Sequence, residues 1–111
     1  MCGIVGIIAS KESRYDMQDT MSKMAKKVNH RGPDSSGTYR NNSLYLAHQR
    51  LSIIDLSKNG HQPMESFRGD FVIAFNGEIY NHKAIKKELN NQTNILWKGN
   101  SDTEVFLNAI E

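Results

Sequence analysis

Cysteine is nearly absent from this sequence of 111 residues: it occurs once, at position 2. A single cysteine excludes an internal disulfide and suits a reducing compartment. Proline occurs twice and tryptophan once, and no repeat or low-complexity stretch stands out. Long apolar runs are missing as well. The longest, at residues 2–9, is far too short to cross a bilayer and lacks the basic flank of a signal peptide, so no membrane partner and a cytoplasmic location are expected. Charge of one sign is also lacking. Net charge is +2, and the basic residues are scattered apart from Lys26-Lys27 and Lys86-Lys87, which argues against nucleic acid. The histidines at 30, 48, 61 and 82 have no metal-ligand spacing and no second cysteine to join them, so no metal is expected. No phosphate loop of the G-x-x-x-x-G-K form occurs.

What remains is one small domain of mixed periodicity. Residues 3–9 are continuously apolar and read as a strand buried on both faces. Ser13 and Asp16 have capping-box spacing. Met17, Met21, Met24, Ala25 and Val28 follow at helical spacing, to about Asn29. His30 to Thr38 reads as loop. Leu44 to Ala47, Leu51 to Ile54, Phe71 to Phe75 and Ile95 to Trp97 read as strands. Asn76-Gly77 between two β-forming runs is a type I′ hairpin signal. Asn81 is placed to cap a helix carrying Ile85 and Leu89, with Tyr80 stapled onto Ile85. Ser101-Asp102-Thr103-Glu104 is a full capping box for a helix that is still running at Glu111. The sequence therefore reads as a fragment, incomplete at its C-terminal end, with uncovered apolar faces and poor stability alone.

Several residues carry chemistry, each with a plain structural role to set beside it. Cys2 can simply start a strand. If Met1 is removed, it instead joins a thiol to a free α-amine, groups whose ordinary pKa values lie within about one unit, so proton transfer between them costs only about 1 kcal/mol. His30-Arg31-Gly32-Pro33-Asp34 can be a turn with a local Arg31–Asp34 ion pair, or a loop closing over a site near the chain start. Arg50 can be a surface charge or a fork for a carboxylate. Asp102 suits a helix first turn and can equally bind an ammonium group. Asn76-Gly77 can be a turn, or an oxyanion hole made of the Asn amide and the Gly N–H.

Met1-Cys2-Gly3-Ile4-Val5-Gly6, His30-Arg31-Gly32-Pro33-Asp34, Arg50-Leu51-Ser52-Ile53-Ile54-Asp55, Gln62-Pro63-Met64, Asn76-Gly77-Glu78-Ile79-Tyr80-Asn81 and Ser101-Asp102-Thr103-Glu104 occur in that order. Together they resemble the glutaminase domain of class II glutamine amidotransferases, which are N-terminal-nucleophile hydrolases, in the glutamine-hydrolysing asparagine synthetase branch. The sugar-phosphate branches read differently around the second and fifth of these segments.

The resemblance implies an α+β fold, a truncated αββα sandwich, with residues 1–111 a type-2 glutamine amidotransferase domain. It implies Cys2 as nucleophile and Asn76 and Gly77 as oxyanion hole. Arg50 would grip the α-carboxylate of L-glutamine, Glu78 and Asp102 its α-ammonium, and Leu51 and Ile53 would line the pocket. The implied partner is a C-terminal synthetase domain, absent from these residues, which would use ATP and Mg to amidate aspartate. No cofactor is implied for this segment, and a homodimer is compatible with it. Two other readings stay open: a truncated glutamine-binding fragment without turnover, and the front domain of an amidotransferase acting on surface sugars.

Overall fold

The computed structural model describes residues 1–10 and 16–111. Strands β1 (Gly3–Ile8), β2 (Ser35–Arg40) and β3 (Leu44–Arg50) form an antiparallel sheet in the order β1-β3-β2. Helix α1 (Met17–Lys27) lies on one face of it. Met21 and Ala25 of the helix bury against Tyr45 and Ala47, with Val5, Ile7 and Met17 completing the cluster. The opposite face of β1 carries Ile4 and Ile8, both exposed, so β1 is covered on one side rather than both. Apolar composition alone does not say how many layers will cover a strand; here α1 supplies a single one.

The stretch from His30 to Thr38 is more ordered than a loop. A 3-10 turn spans Asn29–Arg31, and Ser35 onward pairs with β3, because the polar Ser-Ser-Gly-Thr run sits at a sheet edge. The N-cap of α1 is Asp16, whose carboxylate accepts from the Asp19 N–H at 3.0 Å; the expected cap Ser13 lies outside the described residues.

Beyond the sheet, β4 (Met64–Glu65) and β5 (Val72–Ile73) form a short ribbon, followed by α2 (His82–Gln92) and α3 (Asp102–Ile110). Helices and antiparallel sheets together make the class α+β. The hairpin turn falls between β4 and β5, where Gly69 takes φ +83°, not at Asn76-Gly77. A type I′ turn needs positive φ at both central residues, and neither Asn76 nor Gly77 has it. Residues 78–80, 51–54 and 95–97 form no strands. Ile53 is 70% exposed and Leu56 is also exposed, so their β-forming side chains have no partner strand to favour a ladder. Tyr80, 87% exposed, staples nothing, and Asn81 caps α2 without a side-chain hydrogen bond.

The capping box at α3 forms by half. Ser101 Oγ accepts from the Glu104 N–H at 3.2 Å, whereas the Glu104 carboxylate turns back to the N–H groups of Lys98 and Gly99, at 2.6 and 2.9 Å. It thereby closes the loop that delivers α3. Val105 and Leu107 anchor the helix in the interior, and Phe106 packs on Phe75 with ring centroids 5.4 Å apart. Among the described residues no helix is long and apolar enough to cross a membrane.

Candidate active site

The register of the sheet decides which side chains meet. Gly3 lies opposite Gln49 and Ile4 opposite His48. Directly opposed residues share a face, and alternate residues along a strand share one too. Cys2, His48 and Arg50 therefore project on the side away from α1. A slip of β3 by one residue would turn His48 and Arg50 into the α1 core and away from Cys2. On this side lies a cavity of about 260 Å³. Met1, Cys2, Arg50, Leu51, Ile53, Asn76, Gly77, Glu78 and Asp102 are among its lining residues. The residues that the resemblance gives a role thus line one cavity, although they come from the sheet, the loop after β3, the segment after β5 and the start of α3; the His30–Asp34 loop does not line it.

Cys2 is held on several sides. Its Sγ receives the Leu51 N–H at 3.3 Å and donates to the Leu51 carbonyl at 3.6 Å. Its backbone nitrogen donates to Asn76 Oδ1 at 3.2 Å. Its carbonyl accepts from Arg31 Nε at 3.1 Å. Arg31 thus reaches Cys2 rather than Asp34, and Asp34 Oδ2 accepts from the Ser52 N–H at 2.7 Å. The local ion pair does not form; the loop closes over the chain start, tying β1 and the segment after β3 together.

Arg50, the last residue of β3, is only 8% exposed. Its Nη1 donates to the Ser57 carbonyl at 2.8 Å and its Nη2 to the Asp55 carbonyl. Gly60 makes room for this, since a Cβ there would overlap the guanidinium. The Asp55 carboxylate is engaged elsewhere. It takes the Ser57 hydroxyl and N–H and, through Oδ2, the Asn100 N–H at 3.0 Å. The Ser57 hydroxyl first, then the Asn100 N–H, and more weakly Arg50, hold it below the usual carboxylate range. Among the described residues the only ion pair is Lys23–Asp19 on α1. Arg50 is therefore a buried cation facing a cavity with no carboxylate partner, an arrangement that favours an incoming anion.

The corner Asn76-Gly77-Glu78 forms the opposite wall. Gly77 leaves room for the Phe75 ring: a Cβ would lie 2.5 Å from Phe75 Cζ, so the ring would have to shift. With Asn76 Oδ1 committed to Cys2, its amide NH₂ is left as the free donor. Asp102, buried at the start of α3, accepts the Ile79 N–H at 2.7 Å through Oδ2 and the Thr103 N–H at 2.9 Å through Oδ1. Glu78 stands exposed at the cavity wall.

Two buried residues escaped the sequence reading. His48, 0% exposed, directs Nε2 to the Phe75 carbonyl at 3.2 Å, and its Nδ1 has no partner. Burial pushes the ring below its ordinary pKa, as do the Arg50 and His61 charges, against the opposing pull of the Phe75 carbonyl. Gln62 accepts the Phe75 N–H at 2.6 Å and donates to Thr103 Oγ1 at 3.3 Å. The signal for Gln62 was its place beside Pro63 in one of the six segments; His48 had none, since the expected strand ended at Ala47 and β3 runs on to Arg50. Among the described residues no cluster of His, Cys, Asp and Glu is grouped to hold a metal ion.

The profile of the glutamine amidotransferase domain family matches residues 1–111. A protein of Methanocaldococcus jannaschii is 39% identical over 125 residues, covering 96% of this chain and 23% of that protein. Asparagine synthetase [glutamine-hydrolyzing] 1 of Arabidopsis thaliana is 37% identical over 111 residues, 100% of this chain and 18% of that protein. Asparagine synthetase B [glutamine-hydrolyzing] of Escherichia coli (strain K12) is 37% identical over 107 residues, 96% of this chain and 19% of that protein. The chain spans about a fifth of the length of these relatives.

Proposed function

This chain belongs to the glutamine amidotransferase domain family, and from that premise we propose that it is the glutaminase part of a glutamine-hydrolysing asparagine synthetase. Its fold would be the first part of the αββα sandwich of N-terminal-nucleophile hydrolases. The relatives extend well beyond it. On this reading a following domain amidates aspartate, with ATP and Mg supplying acyl activation there. The observation that carries the reading is Arg50: a buried, unpaired cation on the same cavity as the Cys2 sulfur and the Asn76-Gly77 corner. L-Glutamine presents a carboxylate, an ammonium and an amide carbonyl, and the cavity offers a matching group for each.

Arg50 would take the α-carboxylate with the N–H donors not spent on Asp55 and Ser57. Asp102 and Glu78 would face the α-ammonium, and Leu51 and Ile53 would flank the chain. Loss of Met1 frees the Cys2 α-amine. The amine takes the thiol proton as Sγ bonds to the side-chain amide carbon. Negative charge gathers on the amide oxygen, where the Asn76 NH₂ and Gly77 N–H donate to it. The C–N bond then breaks and the α-ammonium returns its proton to the departing ammonia. Water attacks the resulting thioester, the C–S bond breaks, and glutamate leaves with the thiol restored.

The test is ammonia release from L-glutamine by protein whose Met1 loss is verified by intact mass. Hydrolysis that disappears in Cys2→Ala supports the reading. Hydrolysis that persists in Cys2→Ala, or its absence from Met1-free full-length protein, overturns it.

A further inference from the structure

The corner that carries Asn76 and Gly77 is not held by a β-ladder. Strand β5 ends at Ile73, and Phe75 makes no backbone–backbone hydrogen bond among the described residues. Instead, both main-chain polar groups of Phe75 are taken by side chains. Gln62 Oε1 accepts its N–H at 2.6 Å, and His48 Nε2 lies 3.2 Å from its carbonyl. Both side chains belong to buried residues, and they come from different parts of the chain: His48 from the middle of β3 and Gln62 from the segment before β4. Beyond the corner, Asp102 Oδ2 receives the Ile79 N–H at 2.7 Å.

We propose that His48 and Gln62 are positioning residues that clamp the Phe75 peptide groups and thereby aim the Asn76 amide and the Gly77 N–H at the reacting carbonyl. The inference rests on the glutaminase reading above and deepens it. The Phe75 carbonyl belongs to the peptide unit that leads into Asn76, so fixing its oxygen fixes the plane from which Asn76 departs. An acceptor carbonyl requires His48 to carry its proton on Nε2. Nδ1, buried without a partner, is then the bare nitrogen of a neutral ring. Gln62 couples the corner to the start of α3 through Thr103 Oγ1. An oxyanion hole works only if its donors stand where charge will develop, and a displacement of about 1 Å can cost ~10²-fold.

The experiment is steady-state glutamine hydrolysis by the full-length protein carrying His48→Leu, His48→Gln or Gln62→Met, each also in an Asn76→Ala background. Glutamine reaches as far as the histidine Nε2, so His48→Gln keeps an N–H for the Phe75 carbonyl and should retain most of the rate. His48→Leu and Gln62→Met should lower kcat by about 10–100-fold with KM for glutamine nearly unchanged. In the Asn76→Ala background the same changes should cost several-fold less than in the parent protein, because one of the two donors they aim is already gone and only the Gly77 N–H is left to misplace. Equal losses in both backgrounds, or KM rising with the fall in kcat, would overturn the clamp. Should His48→Leu fail to fold, Gln62→Met and His48→Gln still decide the matter through the same cycle. Absence of Cys2-dependent hydrolysis in the parent protein would strike the glutaminase reading instead, and so is distinguishable.

Discussion

The backbone nitrogen of Cys2 donates to the side-chain oxygen of Asn76 across 3.2 Å, although 74 positions separate them in the chain. This contact ties the proposed nucleophile and the proposed oxyanion donor into one unit. The nitrogen that would accept the thiol proton orients the amide, and the amide's free NH₂ then points away from it. An amide nitrogen bonded to Met1 can donate in this way but cannot accept a proton. Protein that keeps Met1 should therefore hydrolyse no glutamine, and trimming with a methionine aminopeptidase should switch hydrolysis on. Intact mass and ammonia release on the same samples check this; activity in Met1-bearing protein counts against an amine base.

Asn76→Ala should lower kcat by about 10²–10³-fold, the usual cost of one oxyanion-hole donor. The same substitution removes the acceptor for the Cys2 nitrogen. Asn76→Asp separates the two roles, since a carboxylate still accepts from Cys2 but offers no N–H. Both variants should be impaired in kcat with glutamine binding to a Cys2→Ala background preserved, measured by calorimetry. A full rate in Asn76→Asp would remove the amide from the proposed mechanism.

Arg50→Lys keeps the charge and loses the fork. A lost charged hydrogen bond is worth about 1.5–3 kcal/mol, so KM for glutamine should rise about 10–100-fold with a smaller effect on kcat. Gly60→Ala tests the same contact from behind, because its methyl group would press on the guanidinium. It should raise KM in the same direction. An unchanged KM in both variants would assign Arg50 to the Asp55–Ser57 carbonyls alone.

The sequence made the helices and strands β1 and β3 legible because their periodicity and caps are local, whereas the polar edge strand β2 read as loop. Met17, Met21 and Ala25 point inward as their spacing required, and Ser101 caps α3. Asn76-Gly77 misled because the same dipeptide serves a tight turn or an extended corner, and the contacts that fix Phe75 before it, to Phe106, Gln62 and His48, are tertiary. Leu51 to Ile54 has strand composition, but the Leu51 N–H and carbonyl are taken by Cys2 Sγ and the Ser52 N–H by Asp34 Oδ2, so side chains rather than a neighbouring strand engage this backbone. Around the cavity, the quoted motifs indicated the lining residues. Gln62 stood in one of those motifs without a role and His48 in none, because their partners are main-chain atoms of Phe75, which leave no pattern in side-chain spacing.

Ser101→Ala removes the hydroxyl that accepts the Glu104 N–H at the start of α3. Loss of such a cap typically costs about 1 kcal/mol, which in a domain of this size lowers Tm by about 4–8 °C. Glu104→Gln should also destabilise, since a charged acceptor for the Lys98 and Gly99 N–H groups is replaced by a neutral oxygen and an NH₂. Thermal unfolding followed by circular dichroism measures both, and an unchanged Tm in Ser101→Ala would mean that the cap is replaced by water at no cost.

Acid should destabilise the fold in two separate steps. His48 has a folded-state pKa below its ordinary value near 6.5, chiefly because it is buried. Between that ordinary value and the lower folded one, the unfolded chain binds the proton and the folded chain does not, so stability falls as pH drops through this window. Asp55 has a folded-state pKa below its ordinary 3.8, chiefly through the Ser57 hydroxyl. Its contribution is fully present above that value and is lost as pH falls toward the depressed one. Urea midpoints measured from pH 7.5 down to about pH 3 should therefore decline first below about pH 6.5 and again below about pH 4. His48→Gln should flatten the upper decline while leaving the lower one, and Asp55→Asn should do the reverse. An upper decline of undiminished slope in His48→Gln would overturn the claim that a neutral, buried His48 is part of the folded state.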